Sequence, residues 1–175
     1  MQDNELNRLT RAAILAALVC IATIVIPIPL PGGGYANAGD IVLLVAAYIL
    51  GPGLGAAAAG IGSGVADLIL GYSAYAPGTF VIKAADAAAA GALYMLLGKK
   101  IKSIPAMLVA GLAGEIVMVA GYFGYETLIM GNAAAAAVGA VPNMLQGAAG
   151  IVGSTVLLPI VKKAYDGMKK QGEVR

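Results

Sequence analysis

The stretch GVADLILGYSAYAPGTFVIKAAD, residues 64–86, decides how this chain is read. It sets Asp67, Lys83 and Asp86 in or beside segments that are otherwise apolar enough for a bilayer. A charged side chain at the bilayer centre costs about 2.5–3.5 kcal/mol on insertion scales, so such residues face a cavity or a partner. Between them lies GYSAYAPG, a turn-rich connection with two tyrosines and no charge. The stretch reads as one wall and part of the lid of a small-molecule site.

Composition extends this reading to the whole chain. Of its 175 residues 60% are hydrophobic and only 11% charged, where a soluble domain carries about 25% charged residues. Several apolar runs approach or exceed the roughly 20 residues that span a hydrocarbon core. The expected fold is all-α: a single integral membrane domain, residues 1–175, whose six transmembrane helices lie near 9–27, 40–51, 52–71, 79–97, 104–131 and 138–164. With that even number, Arg8, Arg11, Lys99, Lys100, Lys102, Lys162, Lys163, Lys169, Lys170 and Arg175 share one side, and Lys83 stands apart. By the positive-inside rule both termini are cytoplasmic. The connections 28–39, 72–78 and 132–137 contain no Lys or Arg and face outward. The reading is of a multi-pass protein of a prokaryotic cell membrane, with the lipid bilayer as its surroundings and no nucleic-acid partner.

A cleaved signal peptide is the competing reading of residues 12–26 followed by Tyr35-Ala36-Asn37-Ala38. Asp3 and Glu5 before the run, and Ile-Pro-Ile-Pro-Leu-Pro at its end, count against it. Cleavage would also divide the basic residues between both faces. Cys20, the single cysteine, reads as a small apolar side chain in mid-helix.

The connection PIPLPGGGYANAGD is too rich in Pro and Gly for a helix. Pro27, Pro29 and Pro31 favour an extended path, and Gly32 to Gly34 a hinge. Asp40 follows, placed to cap the second helix. That helix has about 12 residues before Gly51-Pro52, roughly 18 Å, against a hydrocarbon core of about 30 Å. Starting from the cytoplasmic face, it ends at mid-membrane depth with Asp40 at its tip. Irregular backbone at that depth is tolerated where it is buried in protein or lines a wet cavity. The short helix thus predicts an outward-facing ligand pocket.

The other segments supply its walls. Gly55, Gly60, Gly62 and Gly64 argue close helix contact, not a phosphate loop, because no strand precedes GIGSG. Lys83 and Asp86, three apart, share a face, and Lys83 is a candidate counter-ion for Asp67 or Asp86. Glu115, Tyr122 and Glu126 form one polar stripe, with Glu115 nearer the middle and free to meet a neighbouring helix. Asn143 and Gln146 follow near the start of the sixth helix. The candidate substrate-binding residues are Tyr35, Asn37, Asp40, Asp67, Tyr75, Lys83, Asp86, Tyr122, Glu126 and Asn143, with Tyr72 in the lid. Aromatic rings and a few fixed polar groups suit a small, polar heteroaromatic molecule. No histidine and one cysteine leave few transition-metal ligands, so neither a metal nor a cofactor is expected. No Walker motif and no nucleophile–base arrangement appear, so neither ATPase nor other enzymatic activity is read here. Ala12/Ala16 and Ala13/Ala17 on the first helix, each four apart, allow close approach of another helix, inside the bundle or outside it.

Together the Ala-rich first helix, YANAGD after a Pro/Gly loop, the Gly51-Pro52 turn, GIGSGVADLILGYSAYAPGTFVIKAAD and GYFGYE resemble substrate-binding (S) components of energy-coupling factor (ECF) vitamin transporters, in the riboflavin-type branch. The resemblance implies a six-helix protein that captures a vitamin or vitamin precursor from outside. It then docks, through the first helix and its alanines, onto an ECF transmembrane coupling subunit driven by two ATPase subunits, which alone use ATP. With no Trp and two Phe, the chain favours a vitamin B6 form or hydroxymethylpyrimidine over riboflavin, the alternative ligand. A stand-alone proton-coupled secondary carrier, using Glu115 and Glu126, is the rival mechanism, although no internal repeat supports it.

Overall fold

The computed structural model describes residues 2–25, 27–29 and 34–172, and side chains among them from 5 to 163. Pro31, Gly32 and Gly33 of the predicted hinge, Arg175, and the side chains of Asp3, Lys169 and Lys170 lie outside the described residues. Among the described residues five helices make the bundle: α1 (Gln2–Val25), α2 (Gly39–Ile69), α3 (Ala76–Leu97), α4 (Ser103–Met130) and α5 (Ala133–Gly172). All five are long and apolar enough to cross a membrane. Two short strands, β1 (Ile28–Pro29) and β2 (Tyr35–Ala36), pair antiparallel between α1 and α2.

The expected second and third helices are one helical segment, α2, broken at Gly51. Gly51 adopts φ 76° and ψ −176°, a region essentially reserved for glycine, and Pro52 then restarts the helix. The break reverses the chain: a Cβ on Gly55 would lie 2.9 Å from Ala47 Cα, eight residues away, which an unbroken helix holds about 12 Å apart. Residues 39–50 and 52–69 are thus two arms packed back to back. Helix α3 closes on the turn, since a Cβ on Gly91 would lie 3.0 Å from Ala47 O and 3.1 Å from Gly51 C. Gly51→Ala is expected to cost about 1–3 kcal/mol of strain, read as a lower melting temperature in detergent. An unchanged melt would show that the reversal tolerates a side chain.

The first arm is the axis of the molecule. Leu43, Leu44, Val45, Ala46 and Ala47 are all buried in succession, and a helix apolar on every side belongs inside a bundle. Met107, Ala110, Ala87, Ala90, Leu158 and Val19 complete the core around it. Outward, Leu68, Val81, Leu96, Leu128, Leu145 and Val152 are exposed, as a lipid-facing surface requires. Helix α1 packs chiefly on α2.

Three boundaries move from their expected places. Helix α1 begins earlier, at Gln2, and α3 at Ala76, with Pro77 in its first turn. Helix α5 starts at Ala133, ahead of the expected 138, because Asn132 Oδ1 accepts the N–H groups of Ala134 and Ala135 at 2.9 and 3.2 Å. That is N-capping followed by the best helix former. At the opposite end Tyr94, Ser103 and Lys162 meet through their hydroxyls and ammonium at 3.1 and 3.4 Å. The α3–α4 turn with its lysines therefore shares an end of the bundle with Lys162, away from Asp67 and Glu126.

Candidate functional site

At that far end each element contributes polar side chains one helical turn apart. Ser63 and Asp67 come from α2, Thr79 and Lys83 from α3, Tyr122 and Glu126 from α4, and Asn143 and Gln146 from α5. Spacings of three and four put each pair on one face of its helix, and all four faces turn to a common cavity. Thr23 of α1 joins them, with Gly34, Tyr35 and Asn37 from the β1–β2 connection and Tyr75 ahead of α3. The free cavity is narrow, about 20 Å³, the room that a single water needs. The polar groups converge as expected, yet this closed form does not hold a ring.

The closure is aromatic. Tyr35 donates its hydroxyl to Asp67 Oδ1 at 2.6 Å, and its ring lies 4.7 Å from that of Tyr72. Tyr72 meets Tyr75, and Tyr75 meets Tyr125, each at 6.2 Å between centroids. Tyr125 donates to Ala74 O at 2.5 Å and lies flat on Gly78, where a Cβ would stand 2.5 Å from its ring. Burial, then the Asp67 carboxylate, raises the Tyr35 phenol above its ordinary pKa, so it remains a donor. Edge-on ring pairs are worth about 0.5–1.5 kcal/mol each, so these contacts hold the mouth shut only weakly.

Beneath the lid runs one hydrogen-bonded relay. Asn37 N–H donates to Gln146 Oε1 at 2.8 Å, and Gln146 Nε2 donates to Asp40 Oδ2 at 2.6 Å. Lys83 Nζ donates to Asp40 Oδ1 in a fully buried ion pair. Lys83 also lies 5.6 Å over the Tyr122 ring, and Tyr122 donates to Thr79 Oγ1 at 3.0 Å.

Two expectations are corrected here. Asp40 does not cap α2: Ala38 holds that position, and Asn37 Oδ1 accepts Gly39 N–H at 2.8 Å instead. One residue further in, Asp40 is freed to reach Lys83, whose counter-ion is therefore neither Asp67 nor Asp86. Of the predicted ligand residues, Tyr35, Asn37, Asp67, Tyr75, Lys83, Tyr122, Glu126 and Asn143 line the cavity. Asp40 and Asp86 do not; both are buried behind its wall. Thr23, Ser63, Thr79 and Gln146 line it as well but were not counted among the ligand residues. Gln146, three after Asn143, carried a readable signal, whereas a lone Thr or Ser in an apolar helix carries none.

The alanine pairs of α1 also separate. Ala16 packs inward, its carbonyl against Gly62 of α2, while Ala13 and Ala17 are exposed.

Fold and cavity define a class: a multi-pass membrane protein with a polar solute cavity at one end of its helical bundle. The chain belongs to the family described as ECF-type riboflavin transporter, S component, which matches residues 3–163. It is accordingly a transporter S component, and its family is not one of enzymes. A protein of Pyrococcus woesei described as an uncharacterized protein in the gap 3' region is 35% identical over 120 residues, covering 68% of this chain and 78% of that protein. The structure described as that of the S component of a bacterial ECF transporter covers 94% of this chain and 99% of its own, at TM-score 0.66 and 19% identity. That likeness speaks for the fold.

Proposed function

We propose that this S component captures a small, polar heteroaromatic vitamin or precursor, a vitamin B6 form or hydroxymethylpyrimidine, from the outer side of the membrane. It hands the ligand to a coupling subunit driven by two ATPases. One observation carries the choice of ligand: among the described residues, all thirteen that line the cavity are polar or glycine. A ring edged with hydroxyl or amino groups finds partners there in Lys83, Asp67, Glu126 and Asn143. The apolar edge of a large tricycle finds no aliphatic side chain among those described residues. Riboflavin is the second reading, favoured by the description of the family.

The orientation follows from charge. With the arms of α2 counted as two spans, the chain crosses six times and both termini lie on the side of Lys99, Lys100 and Lys102. By the positive-inside rule that side is cytoplasmic and the cavity faces out. The tyrosine lid then guards the outer mouth, and a ligand must separate Tyr35 from Asp67 to be admitted.

Calorimetric titration of the purified protein with pyridoxine, hydroxymethylpyrimidine and riboflavin tests the assignment. One of the first two is expected to bind most tightly; tightest binding of riboflavin overturns the polar-ring reading. Glu126→Ala is expected to weaken binding more than about tenfold, or about 1.4 kcal/mol, with the melting temperature little changed. An unaltered titration curve would place the ligand elsewhere.

A further inference from the structure

Behind the Lys83 wall lies a second polar centre that the ligand cavity does not reach. Asp40, Asp86 and Glu115 each bring a carboxylate oxygen within 4.8 Å of the other two. Asp86 is 0% and Glu115 4% exposed, and all four of their carboxylate oxygens lack a hydrogen-bond partner among the described residues. Carboxylates that serve only to hold a fold are hydrogen-bonded when buried; these are aimed at one another.

The surrounding backbone leaves them room. On α5 a Cβ at Gly150 would stand 2.7 Å from Glu115 Oε1 and 2.9 Å from Asp40 Cβ. A Cβ at Gly147 would lie 3.0 Å from Glu115 Oε2, and one on Gly114 of α4 would collide with Asp86 Oδ1. Three glycines thus form a cradle around three acids. Lys83 pairs with Asp40, and among the described residues neither Asp86 nor Glu115 has an ion-pair partner.

We propose that Asp40, Asp86 and Glu115 bind a hard divalent cation of the calcium class directly behind the ligand cavity. Three oxygen donors with no nitrogen or sulfur select such an ion. Oxygens that lie within 4.8 Å of one another are close enough to share one cation with oxygen bonds of about 2.4 Å. Asp86 and Glu115 ligate such an ion only once deprotonated, and the two charges they then supply match its valence. Asp40 joins this centre to Lys83 and Gln146, which both line the ligand cavity. Cation and ligand therefore raise or lower each other's affinity by the same factor. The coupling rests on the function proposed above; the cation site does not.

The test uses the full-length protein in detergent, stripped with a chelator, without any vitamin. Calcium, magnesium and sodium are titrated separately by calorimetry, and melting is followed with each. One saturable calcium site at about 1 mM or tighter is expected, with a raised melting temperature. Asp86→Asn and Glu115→Gln, both close to isosteric, are each expected to weaken it at least about tenfold. Where a variant does not fold, the wild-type titration decides alone. Three results overturn the proposal: no saturable divalent binding, saturation by sodium only, or calcium binding unchanged in both variants. An infrared carboxylic-acid band that persists at saturating calcium would also overturn it, showing that protons neutralise the cluster. Because no vitamin is present, these failures leave the reading of the outer cavity untouched.

Discussion

Lys83→Ala is expected to lower the melting temperature sharply and to abolish measurable vitamin binding. Lys83 and Asp40 are both buried and paired, with Asp86 and Glu115 close behind. Removing the ammonium leaves Asp40 with Gln146 as its hydrogen-bond donor and three carboxylates with no cation among the side chains. Breaking one partner of a buried pair costs about 3–5 kcal/mol, a large fraction of the 5–15 kcal/mol by which proteins are typically stable. Lys83 thus holds both roles open to it from the sequence, counter-ion of a buried acid and wall of the cavity. The double variant Asp40→Asn with Lys83→Met separates the two roles. It removes both charges, so much of the lost melting temperature should return while ligand binding does not. A Lys83→Ala protein that melts like the wild type would show that the pair contributes nothing to the fold.

The second large effect concerns α1. Replacing Ala13 and Ala17 together with leucine is expected to leave vitamin binding unchanged and to abolish ATP-driven uptake with the coupling subunit and ATPases present. Both residues are exposed on a helix that packs chiefly on α2. They line a groove with Leu9, Cys20 and Ile21 of α1 and Leu54, Ile61 and Val65 of α2. In lipid, helices associate where small residues allow close backbone approach, and leucines four residues apart fill that approach. Ala16 is the internal control. Its carbonyl faces Gly62, so Ala16→Leu should disturb the α1–α2 contact and lower the melting temperature. Retained uptake in the Ala13/Ala17 variant would move the docking face off α1.

Much of the architecture was legible because the bilayer imposes a strict code. Apolar runs of spanning length, a Gly-Pro interruption and lysines gathered at one end leave few alternatives for an all-helical chain. The relation of the two α2 arms was harder to read. Gly51-Pro52 announces a break, but whether the arms stay continuous in hydrogen bonding depends on the backbone at Gly51. The start of α5 lies five residues ahead of the expected 138, since alanines beside a Gly-Asn turn suit a loop or a capped helix equally. The cap formed by Asn132 decides between them.

Depth in the site could be read from spacing; partnership could not. Tyr122 and Glu126 were placed on one stripe by their separation of four, and both line the cavity. For Lys83 the sequence offers Asp67 and Asp86 and not its true partner Asp40, because periodicity along one helix says nothing about which neighbour lies opposite.

The amino-acid order by itself determined that this is a helical membrane protein with polar groups gathered at one end, because hydropathy and helical period act locally. Tertiary structure alone decided that Asp40 turns inward to Lys83, that Asp86 and Glu115 withdraw behind the wall, and that tyrosines from three segments close the mouth. Those choices depend on how the helices are rotated and how deeply they are set against one another. Glycines at the crossings permit that packing, and no single segment encodes it.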